Sequence, residues 1–393
     1  MRRTPTVVIA GLAIALGAAA PAKPVWTPAW TASMWQANGK QHVVVENATI
    51  SFSVRVATGG RKLRLRLSNE YGHAFRIGSA SVRSESGKTV RVSFDRQPSL
   101  DVPANGVVAS DPVSLKVKPF EIVQVSLYLP GSVTLNTVHG AGGAKTLVSG
   151  TGDYTAAPFV AMSRTDNRPL LAAIEVQGKK PAPVVVAFGD SITDNTGCAN
   201  DAMPMCRWGD VLARRLAEAG KPHVVVTQAI SGNRLILTAA SPSALDRFDR
   251  DVLALEGVTH VVLLEGINDI GGSGRKRPDG TFAPTITAEQ LIEGYRQLIA
   301  RAHARNIKVM GLTILPFEGA DYYTEAGEAM RTTVNDWIRT SGAFDAVFDL
   351  EKVVADPANP KQLDPGLHRG DHLHPDANGE TKMGEAIPLD WFN

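Results

Sequence analysis

From about His42 to Ala173 the chain runs in short segments in which apolar and polar residues alternate. Lys62-Leu63-Arg64-Leu65-Arg66-Leu67 is the clearest of them. Every leucine falls on one face and every basic residue on the other, the period of a half-buried strand. Ile50–Val56, Ser81–Arg83, Thr89–Phe94, Val113–Val117 and Ile122–Leu129 read the same way. Turn pairs separate them: Gly59-Gly60, Tyr71-Gly72, Ser86-Gly87, Asn105-Gly106 and Pro130-Gly131. No long amphipathic helix interrupts the series, so residues 23–176 are expected to form an all-β sandwich. The stretch 23–38, rich in Pro and in Trp (Trp26, Trp30, Trp35), is read as an irregular lead-in.

Residues 177–183, Gln-Gly-Lys-Lys-Pro-Ala-Pro, read as a linker. Beyond it the period changes. Val184–Phe188, His223–Thr227, Thr259–Leu264, Ile307–Ile314 and Ala346–Leu350 are strand-like. Arg207–Ala219, Ser243–Leu255, Ala288–Ala304, Thr324–Thr340 and Asp376–Ala386 carry helical apolar spacing. Strands alternating with helices predict a parallel sheet covered on both faces over residues 184–393. In such sheets the chemistry gathers beyond the carboxyl ends of the strands.

The 393-residue length fits two domains. The first residues read as an export leader: Arg2 and Arg3, an apolar run Thr6–Ala20, then a small-x-small site with cleavage placed after Ala22. The run is short for a bilayer span, which argues against an anchor. Removing residues 1–22 takes two arginines and no acids, leaving equal numbers of acidic and basic side chains. That balance excludes a global basic field for nucleic acid or anionic membrane. In an exported chain the only two cysteines, Cys198 and Cys206, are expected to pair.

Small polar turns close three of the apolar runs: Gly189-Asp190-Ser191, Ser231-Gly232-Asn233 and Gly266-Ile267-Asn268-Asp269. Asp371-His372-Leu373-His374 lies near the C-terminus. Ser191 is the candidate nucleophile, since a serine hydroxyl reacts only beside a base that takes its proton. His374 is the candidate base and Asp371 its orienter, because residues three apart on a helical turn project to one side. His372 and His368 are rival bases, and Asp371 could instead cap the helix after Pro375. A metal reading of Asp371, His372 and His374 would need further ligands that the sequence does not supply. The backbone N–H groups of Ser191 and Gly232 and the side-chain amide of Asn268 are candidate oxyanion donors. Asp190 and Asp269 are read as organising their turns. Gly-x-Ser-x-Gly is absent around Ser191, which argues against an α/β-hydrolase elbow.

Gly189-Asp190-Ser191, Gly232, Gly266-x-Asn268 and Asp371-x-x-His374 together resemble the four sequence blocks of the SGNH (GDSL-type) hydrolases over about residues 184–390. The resemblance implies a flavodoxin-like three-layer α/β/α domain and no cofactor or metal. It also implies Ser191 as nucleophile, Gly232 and Asn268 as oxyanion donors, and Asp371 with His374 completing the triad. In one departure, Asn195 stands where many relatives have glycine. The Leu65–Gly72 and Trp30–Trp35 stretches resemble the N-terminal sandwich of some exported members. That domain could bind glycan, wall the site or support the fold, and His139-Gly140 with the glycines to Gly143 could lie near the cleft or form a surface loop. The expectation is an exported serine ester hydrolase acting on short-chain esters, O-acetylated carbohydrate among them. The alternatives are a lipase-type esterase for lipid or aryl esters and a non-catalytic glycan-binding protein. No nucleic-acid partner or stable membrane anchor is expected.

Overall fold

The computed structural model describes residues 25–85, 87–140, 145–178, 181–194 and 206–393. The expected leader, Asn195, Cys198 of the expected disulfide and the glycine stretch 141–143 lie outside the described residues.

The alternation of the first half becomes two large antiparallel sheets, with two small ones beside them. One has the order Thr27–Thr31, Leu171–Gln177, Lys62–Asn69, Gly106–Ala109. The other runs Ala161–Thr165, Thr146–Thr151, Val43–Arg55, Ile122–Leu135, Ser79–Ser84, Thr89–Val92. Leu63, Leu65 and Leu67 are sealed in the core between the sheets with Val123, Val125, Leu127 and Leu129. Two expectations fail here. The lead-in is not irregular, because Thr27–Thr31 is an edge strand antiparallel to Leu171–Gln177. Pro28 disguises it, yet an edge strand tolerates a missing N–H. Val113–Val117 keeps its buried alternation but forms only single bridges, Leu63 to Val113 and Gly60 to Val117. Its chain bends where the Leu115 N–H donates to the Val113 carbonyl at 2.9 Å, and Pro112 and Pro119 offer no donor.

The second half is a five-stranded, fully parallel sheet. Its strands are β1 (Val184–Gly189), β2 (Val224–Ala229), β3 (Val258–Leu264), β4 (Lys308–Leu312) and β5 (Ala346–Phe348), in the spatial order β2-β1-β3-β4-β5. This is the flavodoxin-like order. All of β1 is buried, as expected of a strand with helices on both faces. The helices are α1 (Ser191–Asp194), α2 (Trp208–Glu218), α3 (Ala244–Phe248), α4 (Ile267–Gly272), α5 (Ala288–His303), α6 (Glu325–Thr340), α7 (Glu351–Val354) and α8 (Ala377–Ala386). Thr287 and Thr324 cap α5 and α6 by accepting from Gln290 N and Gly327 N. Ser243–Leu255 is not one α-helix: after α3 it winds into a π-helical turn, Asp249–Leu253. No helix among the described residues is long and apolar enough to cross a membrane.

The strand order reverses between β1 and β3, and a cleft beyond their carboxyl ends is the natural place for a ligand. Thr27–Thr31 runs along the open edge of β2. There Thr31 Oγ1 donates to the Thr227 carbonyl at 2.8 Å, and Ser33 Oγ donates to Gln228 Oε1 at 2.7 Å. The first half of the chain therefore covers a sheet edge that would otherwise be open to pairing.

Candidate active site

Ser191 is the first residue of α1, directly beyond β1. The turn into it is tight: a Cβ on Gly189 would collide with Thr193 Oγ1 and the Leu264 carbonyl. Asp190 steadies the turn by accepting from Ile192 N at 2.9 Å. Ser191 Oγ then lies 2.8 Å from His374 Nε2, and His374 Nδ1 lies 2.8 Å from Asp371 Oδ2.

The last pair meets without a helical turn, contrary to the sequence expectation. Residues 371–374 form a bend in which Asp371 Oδ1 accepts from Leu373 N at 3.1 Å and His374 N at 2.9 Å. One carboxylate thus closes the loop with one oxygen and orients the imidazole with the other. Asp371 does not cap α8; Asp376 does, accepting from Asn378 N and Gly379 N. Burial pushes Asp371 up, but hydrogen bonds from the His374 amide, the His374 ring and the Leu373 amide prevail and hold it at about 2. An ionised carboxylate only accepts, so Nδ1 carries the hydrogen and Nε2 is free to take a proton from Ser191.

The rival histidines face each other. The His368 and His372 rings lie 4.6 Å apart, and His368 Nδ1 accepts from His372 N at 3.2 Å. His372 adopts φ +56° to do so, and neither ring reaches Ser191. Among the described residues no three His, Cys, Asp or Glu side chains are arranged to hold a metal ion.

Gly232, beyond β2, is exposed with φ +77°, a conformation that glycine takes without strain. Asn268, in α4 beyond β3, donates from Nδ2 to the Asn233 carbonyl at 3.0 Å. That bond ties the Gly232 and Asn268 turns together and leaves Asn268 a second amide hydrogen. Asp269 serves the neighbouring turn rather than its own, accepting from Leu235 N at 2.5 Å and Ile236 N at 3.2 Å.

Sequence reasoning missed the groups beneath this surface. Arg247 of α3 is fully buried and reaches the ends of β1, β2 and β3 and the turns beyond them. It donates to the Gly189 carbonyl at 2.9 Å, Asn233 Oδ1 at 2.7 Å, the Gln228 carbonyl at 3.0 Å, Ser33 Oγ at 3.2 Å, Asp251 at 3.2 Å and Glu265 at 3.4 Å. Glu265 immediately precedes Gly266 and its side chain is wholly buried. Burial raises Asp190 to about 7 and Asp269 to about 6, and burial with the neighbouring Asp190 charge lifts Glu265 well above the usual carboxylate range. One buried guanidinium among three such acids leaves this group holding a proton near neutrality.

His139 was read as part of a loop near the cleft or on the surface. The structure buries it at the end of strand Thr137–His139, stacked on Trp35. Its Nδ1 meets the Ser33 carbonyl at 2.8 Å and its Nε2 meets Asp194 Oδ1 at 3.2 Å. Burial pushes Asp194 up, but His139 and Arg207 prevail and hold it below the usual range. Asp194 is the last residue of α1, so the sandwich grips the helix that begins with Ser191.

Residues 187–382 match the family model described as GDSL-like Lipase/Acylhydrolase family. Several solved structures are similar in part. The chain is 19% identical to a GDSL-like lipase from Bacteroides thetaiotaomicron, with 51% of this chain and 84% of that one covered and a TM-score of 0.37. It is 23% identical to the acetyl xylan esterase AlAXEase, covering 52% and 100%, with a TM-score of 0.39. For a psychrotrophic esterase from Pseudoalteromonas the values are 16%, 51%, 92% and 0.36. No curated protein matches the chain.

Proposed function

Given that residues 187–382 are a domain of the GDSL-like lipase/acylhydrolase family, we propose that the chain is an exported serine ester hydrolase acting on short-chain esters, O-acetylated carbohydrate among them. The observation that carries this reading is the unbroken relay from Ser191 Oγ through the His374 ring to Asp371, both steps 2.8 Å. Export rests on the leader-like residues 1–22, and the sandwich acts as a support that grips α1.

Ser191 Oγ attacks the ester carbonyl carbon while His374 Nε2 takes its proton. The carbonyl π pair moves onto oxygen, and in this reading the N–H groups of Ser191, Gly232 and Asn268 receive that charge. Collapse expels the alcohol, which takes the proton from His374. Water then attacks the acyl-serine, giving its proton to His374; the C–Oγ bond breaks as Ser191 Oγ takes that proton back, and the acid leaves. No metal enters any step.

A p-nitrophenyl phosphonate ester tests this directly. It should release one equivalent of p-nitrophenolate per chain, add its phosphonyl mass to the peptide containing Ser191, and abolish p-nitrophenyl acetate hydrolysis, all with chelator present. Hydrolysis that survives full labelling, or that chelator removes, would defeat the mechanism. Binding of acetylated glycan with no turnover of any ester would favour the non-catalytic reading.

A pH profile follows from the base. Burial depresses His374 below its ordinary 6.5, and the Asp371 contact opposes this only in part. His374 must be neutral to accept the Ser191 proton, so kcat/KM is lost as pH falls through that depressed value. The acid limb for p-nitrophenyl acetate should therefore have its midpoint below 6.5 and a flat top at pH 7. A midpoint above 7 would contradict it.

A further inference from the structure

On helix α4, Asn268, Gly271 and Gly272 share a face, being three and four residues apart. Asn268 belongs to the proposed oxyanion site, so the two glycines mark a floor one helical turn beyond the reacting carbonyl. Two side chains lie against that floor. A Cβ on Gly271 would collide with the ring of Tyr322, and one on Gly272 would collide with the guanidinium of Arg234. Both positions are therefore kept bare by what lies on them.

Neither polar group is spent. The Tyr322 hydroxyl is buried with no hydrogen-bond partner among the described residues. Arg234 is half-buried and two residues beyond Gly232, and its guanidinium makes no hydrogen bond or ion pair among the described residues. The nearby Asp269 feels the Arg234 charge but makes no ion pair or hydrogen bond with it, its carboxylate accepting from Leu235 N and Ile236 N. Directly after α4 comes an exposed basic run, Arg275-Lys276-Arg277, of which only Arg275 is ion-paired among the described residues, to Asp321 at 2.7 Å.

We infer that Arg234 is a carboxylate-binding site that selects esters whose alcohol part carries an anionic group. The inference rests on the ester-hydrolase reading and deepens it. An unpaired guanidinium presents a planar fork of donors that matches a carboxylate two-to-two. A short acyl group ends within a bond or two of the carbonyl and cannot cross a helical turn of about 5.4 Å. The group that reaches Arg234 therefore belongs to the alcohol. The exposed basic run adds a positive field that draws an anionic substrate to this end of the cleft.

The test uses a matched pair, 3-acetoxybenzoate and 3-acetoxybenzamide, with p-nitrophenyl acetate as reference. The quantity read is the ratio of kcat/KM for the anionic over the neutral acetoxy ester, so a general loss from poor folding cancels. The full chain should favour the anion by roughly 10- to 100-fold, the usual worth of a hydrogen bond to a charged group. The preference should lie in KM and shrink as salt is raised. Arg234→Gln should bring the ratio near one, and Arg234→Lys should keep part of it, since charge remains but the fork is lost. A ratio near one in the unaltered chain, or one that Arg234→Gln leaves in place, overturns the inference while the esterase stands. Turnover of p-nitrophenyl acetate but of neither acetoxy ester overturns it too. Failure on all three esters removes the hydrolase reading and this inference with it.

Discussion

Ser191→Ala and His374→Ala should each lower kcat for p-nitrophenyl acetate by about a million-fold, and the double variant should be scarcely worse than either. In the proposed mechanism the two side chains perform one act. Ser191 Oγ gains nucleophilicity only because His374 Nε2, at 2.8 Å, takes its proton as the bond to carbon forms. Remove either and the other has nothing left to do, so the losses do not multiply. Asp371→Ala should cost less, on the order of 10⁴-fold, because the imidazole remains and only its orientation and charge support are lost. A further loss is expected at Asp371 in this chain, whose Oδ1 also closes the bend through Leu373 N and His374 N. Asp371→Asn separates the two roles: its amide oxygen can still hold the bend, while its nitrogen cannot accept from Nδ1. Residual turnover should persist in every variant, because the N–H groups around the oxyanion remain. The check is kcat measured on chains whose folded fraction is counted by circular dichroism and thermal unfolding. Multiplicative losses in the Ser191–His374 double variant would mean that the two do not work as one relay.

The surface of the site was legible in the sequence because strand-end turns are local. A run such as Val184–Phe188 followed by Gly-Asp-Ser needs only the period of a buried strand and one turn to place Ser191. Gly232 and Asn268 were readable for the same reason. Asp371 and His374 were paired on a helical argument, and the structure reaches the same contact through a carboxylate-closed bend. The spacing of three was informative although the assumed backbone was not. What lay beyond reading depends on distant segments converging. Nothing in Ala-Leu-Asp-Arg-Phe marks Arg247 as buried, since its partners come from residues 33, 189, 228, 233, 251 and 265. Thr27–Thr31 was missed because five residues with a proline carry too little period, and its pairing with Leu171–Gln177 joins the two ends of the sandwich. His139 was equally ordinary until Asp194 was brought to it.

Arg247→Met should lower stability by about 3–5 kcal/mol, the cost of removing one partner from a buried, hydrogen-bonded charge network. Methionine approximates the stem of the side chain, so the loss is mainly polar. Asp251 keeps partners in Arg250, at 2.6 and 3.1 Å, and Glu265 can stay protonated, so neither carboxylate is stranded as a bare charge. The Gln228 carbonyl and Asn233 Oδ1 lose their guanidinium donor, and the Gly189 carbonyl is left with Ile230 N at 3.1 Å. Those three belong to the turns that carry Ser191 and Gly232, so activity should fall with stability. A displacement of about 1 Å in such turns costs about a hundred-fold in rate. Arg247→Lys should recover little, because one ammonium cannot serve six acceptors spread around a planar fork. Ser33→Ala removes one of the six together with the Ser33 Oγ bond to Gln228 Oε1 and should cost about 2 kcal/mol. Thermal unfolding of the three variants beside the unaltered chain, with kcat on p-nitrophenyl acetate at 25 °C, separates the contributions. A melting temperature for Arg247→Met within ~2 °C of the parent would mean that water or a neighbouring side chain fills the role. A large drop in melting temperature with kcat intact would mean that Arg247 holds the two halves of the chain together without setting the geometry of the turns.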